Sequence, residues 1–227
     1  MELVFISDTH TKHGNKYLNE KLKQILEDYP DAILIHSGDI SYRGELFEVE
    51  NFLNWFDSIG FRKKIFIPGN HDFIFEENPE IVESLLKEKY KSVTYLNDSG
   101  IEIDGIKFWG SPVTPRFFDW AFNRDEDIQN HWDLIPVDTN VLITHGPPYG
   151  ILDSTIRTQE SVGCKYLRDK LYDIHGLNVH VFGHIHEGYG LRRINYGNDG
   201  ERIVNFINAS HLNFKYEPVN PPIILTI

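Results

Sequence analysis

The sequence predicts a mixed α/β (α+β) fold, with two β-sheets and helices on their outer faces. Three observations carry this. Short apolar runs alternate with amphipathic segments through the first half. Hairpin signals crowd the second half. No Pro-, Gly- or Ser-rich linker and no internal repeat divides the 227 residues, so one domain over residues 1–227 is expected.

Leu3–Ile6, Ile33–His36 and Ile65–Ile67 are short, apolar and bounded by polar turns, as expected of strands buried on both faces. Between them, Leu46, Val49, Leu53 and Phe56 recur at helical spacing, and Ile81, Leu85 and Lys89 do so more weakly. The order reads as β-α-β-α-β with parallel strands. Ile101–Ile103 and Ile106–Trp109 then flank Asp104-Gly105, a tight-turn pair. Val141–Thr144 and Val179–Phe182 are further buried strands, with a helical stripe of Cys164, Leu167, Leu171 and Ile174 between them. Gly197–Gly200 separates Gly190–Tyr196 from Arg202–Ile207, a second hairpin.

Composition narrows the function. Acids outnumber Lys and Arg 34 to 22, for a formal charge of −12. Such a field repels phosphates and disfavours long nucleic acids and anionic membranes as partners. The single Cys164 rules out an intrachain disulfide or a thiolate metal cage. The N-terminus runs directly into Leu3–Ile6 with no basic and then apolar leader, and no apolar run is long enough to span a bilayer. A soluble cytoplasmic protein is the expectation, and a periplasmic form with its leader removed is the alternative. Eleven histidines in an acidic chain are the ingredients of an N/O metal site.

The chemistry-bearing residues sit just after predicted strands, where open α/β sheets place ligands. The first strand ends in Ser7-Asp8-Thr9-His10, and residues two apart on an extended segment point the same way. The second ends in Ser37-Gly38-Asp39, and the third in Pro68-Gly69-Asn70-His71-Asp72. Later strands end in Thr144-His145-Gly146-Pro147-Pro148 and in Gly183-His184-Ile185-His186. Taken singly these are weak: Asp-x-His serves as a turn or cap, and a lone His is usually satisfied packing. Five such motifs in order, with complementary residue types, are a much stronger signal.

Together they resemble the calcineurin-like metallophosphoesterase signature. Trp109–Pro112, Trp120–Asn123, Leu142–Pro148, Val181–Gly190 and Pro218–Pro222 add a closer similarity, to metallophosphoesterase-domain proteins akin to class III cyclic-nucleotide phosphodiesterases. The resemblance implies a four-layer αββα sandwich, in agreement with the independent reading of two sheets and outer helices. It implies two divalent cations, one held by Asp8, His10, Asp39 and His186 and the other by Asp39, Asn70, His145 and His184. Mixed His, Asp and Asn ligands suit Mn, Fe or Zn better than Ca. The implied activity is hydrolysis of small phosphodiesters, with cyclic nucleotides as the class suggested, by a metal-bridging hydroxide. A phosphomonoesterase with the same site and a non-catalytic scaffold of the same fold are the alternatives. His71 takes the role of general acid or transition-state stabiliser. Asp72 either orients His71 or is a surface turn acid.

Arg43 falls where Ser/Thr protein phosphatases carry a phosphate-binding Arg, but Tyr42 replaces the Asp of that motif. Arg43 is thus either a substrate contact or a solvated residue at a helix start. In the Trp109–Trp132 stretch, Phe117, Phe118, Trp120 and Phe122 either form a flap for a base or cover the second sheet, the latter being favoured for any single ring. Tyr149, Asp153 and Arg157 are rim candidates. His36 is assigned to the core, His13 is a candidate for the cleft, and His131, His175, His180 and His211 to surface or packing roles. Two cations would bring the net charge to about −8 and make the cleft locally positive, so a small phosphate ester is the expected partner.

Overall fold

Five strands form the first sheet of a computed structural model, which describes residues 1–156, 158–196 and 202–227. In chain order its first half runs β1 (Glu2–Ile6), α1 (Lys16–Asp28), β2 (Ile33–Ser37), α2 (Leu46–Ser58), β3 (Lys63–Ile67), α3 (Ile74–Glu77), α4 (Pro79–Lys89) and β4 (Val93–Tyr95). The four strands are parallel neighbours, as the alternation of apolar runs and amphipathic helices requires. Then come β5 (Ser99–Ile103), β6 (Ile106–Ser111), β7 (Thr114–Pro115), β8 (Asn123–Arg124), α5 (Ile128–Asp133), β9 (Val141–Thr144), α6 (Lys165–Lys170), β10 (Val179–Phe182), β11 (Gly190–Tyr196), β12 (Arg202–Asn208) and β13 (Ile223–Thr226). The second sheet has the order β11-β12-β10-β9-β6-β5, while β13 returns to pair antiparallel with β1 at the edge of the first.

Side chains alternate across each strand, and that period of two builds three apolar layers. Leu3, Phe5, Ile33, Ile35, Ile65 and Ile67 face Phe108, Val141, Ile143, Val179, Val181 and Ile207 between the sheets. The opposite face of the first sheet, with Val4, Ile6, Leu34 and Phe66, is covered by Leu18 and Leu22 of α1 and by Val49, Phe52, Leu53 and Phe56 of α2. Leu142, Phe182 and Phe206 on the far face of the second sheet meet Trp132 of α5 and Leu167 of α6. The result is helix, sheet, sheet, helix.

Local sequence explains the boundaries. The Asn15 side chain accepts the Leu18 N–H at 2.9 Å and caps α1. Pro79 opens α4, where its missing N–H costs nothing. Asp104 and Gly105 both have positive φ, +52° and +81°, the geometry of the hairpin turn between β5 and β6.

Some expectations shift. In α4 the buried pair is Val82 and Leu86, while Ile81 is exposed and Leu85 is only partly covered. Two apolar pairs fit the helical period there, and docking on the sheet selects between them. Leu46 at the start of α2 is also exposed. The apolar pattern does not signal strands β4 and β13: one is three residues long, and the other is a half-exposed edge strand behind Pro221 and Pro222. Strands β11 and β12 pair antiparallel from Gly190↔Asn208 to Tyr196↔Arg202. The Gly197–Gly200 turn expected between them lies outside the described residues. Among the described residues, no helix is long and apolar enough to cross a membrane.

Candidate metal centre

The carboxyl ends of β1, β2, β3, β9 and β10 converge on one rim. The loops after β1 and β2 continue the strand pairing, with Asp8 N–H donating to Gly38 O at 2.9 Å and His10 N–H to Asp39 O at 3.0 Å. The loops after β9 and β10 do the same through Gly183 N–H and His145 O, 3.0 Å. A bridge between Ser7 and Ser210 then ties the first sheet to the end of β12. The topology therefore forces five short loops, from two sheets, into one place.

Backbone strain marks the same place. Asp8, His10, Asp39 and His184 have φ of +51°, +39°, +55° and +67°. Left-handed backbone costs an L-residue roughly 1–2 kcal/mol, and such strain concentrates at functional sites. Glycines make room. Gly38, at φ +106°, lies so close to His145 that a Cβ there would overlap its imidazole. A Cβ on Gly183 would overlap the Asp8 carboxylate.

The donors fall in overlapping groups, each with its ligand atoms within 4.8 Å of one another: Asp8, His10 and His186; His10, Asp39 and His71; Asp39, His145 and His184. Asp39 belongs to two of them. Asn70 joins through its Oδ1, 2.9 Å from His145 Nε2. Asp8, His10, Asp39, Asn70 and His145 are buried, and His184 is half-buried.

Whether cations fit is decided by the imidazole tautomers. Nδ1 of His10, His145 and His186 lies 3.2, 3.0 and 3.0 Å from the carbonyls of Ser41, Ser37 and Asn213. A carbonyl only accepts, so each Nδ1 is assigned the proton and each Nε2 presents a lone pair. Those lone pairs aim at acceptors: His145 Nε2 at Asp39 Oδ2, 3.3 Å; His186 Nε2 at Asp8 Oδ1, 3.4 Å; and His10 Nε2 at His186 Nε2, 3.4 Å. Acceptors facing acceptors repel unless a cation or a proton lies between them. The donor set fits divalent cations: Asp8, His10 and His186 lie close enough together to hold one, and Asp39, His145 and His184 to hold another, with Asn70 beside the second group.

The electrostatics express the same demand. Burial disfavours charge on His145 and His186, yet the carboxylates of Asp39 and Asp8 push both imidazoles up to about 9. Burial wins at His10 and His184, which drop to about 4. Asp39 resists its own burial because His145, His71 and His10 surround it, and it is held well below the usual carboxylate range.

His71 points its Nδ1 at the Tyr42 carbonyl, 2.8 Å away, and its backbone N–H donates to Asp39 Oδ1 at 2.9 Å. The second ring nitrogen therefore faces the cluster. Asp72 does not orient this ring. Its buried carboxylate accepts N–H bonds from Gly69 (2.7 Å), Ile40 (3.2 Å) and Ser41 (2.9 Å), with the Ser41 hydroxyl at 2.5 Å. These partners use its acceptor capacity, so Asp72 clamps the loop after β3 to the loop after β2. Arg43 is exposed and lines an open cavity of about 510 Å³ with Tyr42, Glu45, His71, Phe73, Glu77 and Trp120.

Other expectations resolve differently. Trp120 lies on His71, with ring centroids 4.2 Å apart, whereas Phe122 is buried in the core and Phe117 and Phe118 are exposed. His13 is turned away from the cleft, packed against Phe52 and Trp55. His36 is buried, as expected, with Nε2 3.0 Å from the Thr9 hydroxyl. Asp153 is no rim residue: it is buried and accepts N–H bonds from Gly150 and Gly163, both at 2.9 Å. Tyr149 lies in a separate groove with Arg116 and Lys165, and Arg157 lies outside the described residues. Sequence reading missed Ser210, whose hydroxyl donates to Asp8 at 2.9 Å, and Asn213, whose carbonyl holds His186. Neither has a motif around it; only the return of the chain after β12 brings them in.

Comparison with known proteins gives the same picture. The family model for calcineurin-like phosphoesterases matches residues 1–188. Human metallophosphoesterase domain-containing protein 1 is 35% identical over 247 aligned residues, covering 99% of this chain and 70% of that protein. Among solved structures, TT1561 of Thermus thermophilus has a TM-score of 0.60 at 12% identity, covering 91% of this chain and 88% of that one. The phosphopantetheinyl hydrolase of Mycobacterium tuberculosis has a TM-score of 0.54 at 18% identity, covering 92% and 88%. The chain belongs to the calcineurin-like phosphoesterase family.

Proposed function

We propose that the protein hydrolyses small phosphate diesters, cyclic nucleotides among them, at a centre of two divalent cations. The observation that carries this is the set of imidazole Nε2 atoms and carboxylates aimed at one another across a buried cleft. Bound there, two cations would polarise the phosphate and supply a nucleophile from water at neutral pH.

The chain's own residues do the rest. Backbone carbonyls of Ser37, Ser41 and Asn213 fix the tautomers and ring angles of His145, His10 and His186. His71, with its Nδ1–H donating to the Tyr42 carbonyl, is placed to pass a second proton, carried on its other nitrogen in the imidazolium form, to the departing ester oxygen and to return to the neutral ring. Burial of the cluster excludes bulk water and strengthens each of these interactions. The formal charge of −12 favours a small ester over a long polyanion, and a cytoplasmic setting fits a chain with one cysteine.

The test is a panel with purified protein stripped of metal and reloaded with Mn²⁺, Fe²⁺ or Zn²⁺. Substrates are a bis-aryl phosphodiester, the matching monoester, and 2′,3′- and 3′,5′-cyclic nucleotides. Metal-dependent turnover of diesters above the monoester is expected. No turnover of any substrate would remove the hydrolase reading, and monoester turnover far above diester turnover would reverse the substrate class.

A further inference from the structure

The family model ends at residue 188, yet a later turn reaches the centre. Tyr216 lies against two residues of the Asp8, His10 and His186 group, with ring centroids 5.0 Å from His10 and 5.1 Å from His186. Across from it, 6.3 Å away and nearly edge-on, is the ring of Tyr42, which is half exposed. Tyr42 in turn lies 5.9 Å from His71, and Trp120 lies on His71 at 4.2 Å. Three aromatic side chains from three loops thus form an arc along the His10, His71 and His186 side of the metal centre. The cavity beside His71 opens between two of them, Tyr42 and Trp120.

Tyr216 is held in this position. Its φ is +60°, a conformation bulky residues avoid. Its N–H donates to Asn213 O at 2.8 Å, and its carbonyl accepts from Lys12 Nζ at 2.5 Å. The Asn213 side-chain oxygen accepts the N–H groups of Lys215 (2.9 Å) and Glu217 (3.0 Å), which closes the turn. A strained residue braced from both sides and set partly open over a buried polar cluster is the pattern of a functional position.

We propose that Tyr216 is a specificity-determining residue, and that its ring, with those of Tyr42 and Trp120, holds a planar organic group of the phosphate ester. The proposal deepens the hydrolase reading and rests on the phosphate lying at the metal centre. Rings stack on exposed aromatic faces irrespective of their substituents, so the arc selects for a flat group rather than one particular base.

The test is calorimetric binding of phenylphosphonate and methylphosphonate to the full chain loaded with Mn²⁺. Wild-type protein should bind the phenyl compound about tenfold more tightly. Tyr216→Asn, which removes the ring and tolerates positive φ, should bring the two affinities within about twofold, while Tyr216→Phe keeps the preference. Thermal unfolding checks the fold, and Tyr216→Gly replaces the Asn variant should that fail to fold. Three results would each overturn the proposal. These are no binding of either phosphonate, no phenyl preference in the wild type, and equal weakening of both ligands in the variant. The last would make Tyr216 a brace for His10 and His186. Turnover of the bis-aryl diester, measured in parallel, tests the hydrolase reading alone, since a phenyl preference without turnover leaves the aromatic site standing.

Discussion

The Nε2 atoms of His10 and His186 face each other at 3.4 Å, and the Nδ1 of each is directed at a backbone carbonyl. Two imidazoles from opposite ends of the chain are thereby held with lone pairs opposed. The fold sustains that arrangement by burial and by fixed carbonyls, and a proton or a bound cation between the rings would turn the repulsion into attraction.

Removal of metal should therefore cost stability. A ligand at 100 times its dissociation constant contributes about 2.7 kcal/mol, equivalent to roughly 5–10 °C in melting temperature for a chain of this size. Differential scanning fluorimetry with and without a chelator measures this. An unchanged melting temperature after verified metal removal would contradict it.

The metal-free protein should be most stable near pH 6.5. His145 and His186 are raised from 6.5 to about 9, so their stabilisation is complete below 6.5 and disappears as pH rises through 9. His10 and His184 are lowered to about 4, so theirs is lost as pH falls from 6.5 through 4. In the loaded protein the Nε2 atoms hold cations instead of protons, and the alkaline loss should vanish. Melting curves across pH for both forms separate the two cases, and parallel curves would refute the assignment.

His71 and Asp39 should fail in different ways. His71→Ala should retain both metals and lose turnover by about 10²–10⁴-fold, the usual span for a general acid. Asp39→Ala should lose metal as well, since Asp39 is shared by two donor groups. Metal analysis beside steady-state kinetics distinguishes them, and normal rates in His71→Ala would remove it from the mechanism.

Gly183→Ala should damage the centre without replacing a donor residue. The added methyl would overlap the Asp8 carboxylate and Ser7, both fully buried, so the loop after β10 must shift. Overpacking of this kind costs about 1–3 kcal/mol. Lower metal stoichiometry with the fold retained is the expected result in mass spectrometry under native conditions.

Much of this was legible from the chain alone. The buried strands declare themselves because a strand covered on both faces needs a continuous apolar run, as Ile33–Ile35 and Val141–Ile143 show. The candidate site was legible because open α/β sheets place ligands beyond the carboxyl ends of strands, and Asp8-Thr9-His10 and Gly183-His184-Ile185-His186 bring potential donors there at short spacing. The edge strand Ile223–Thr226 was not legible, since it buries only part of one face. Nor was the role of Asp72, because a carboxylate in a turn reads the same whether it holds an imidazole or three backbone N–H groups.

The sequence by itself determined the layered architecture, which rests on local pattern, and named candidate metal donors, which the family resemblance of its strand-end motifs implies. Only the tertiary structure decided which carbonyl sets each imidazole, that Asp72 joins two loops, and that Ser210, Asn213 and Tyr216 reach the centre. The first two depend on how neighbouring loops dock, and the last on where the chain returns after β12. Ser210 is 202 residues from Asp8, and contacts at that separation leave no periodic trace in sequence.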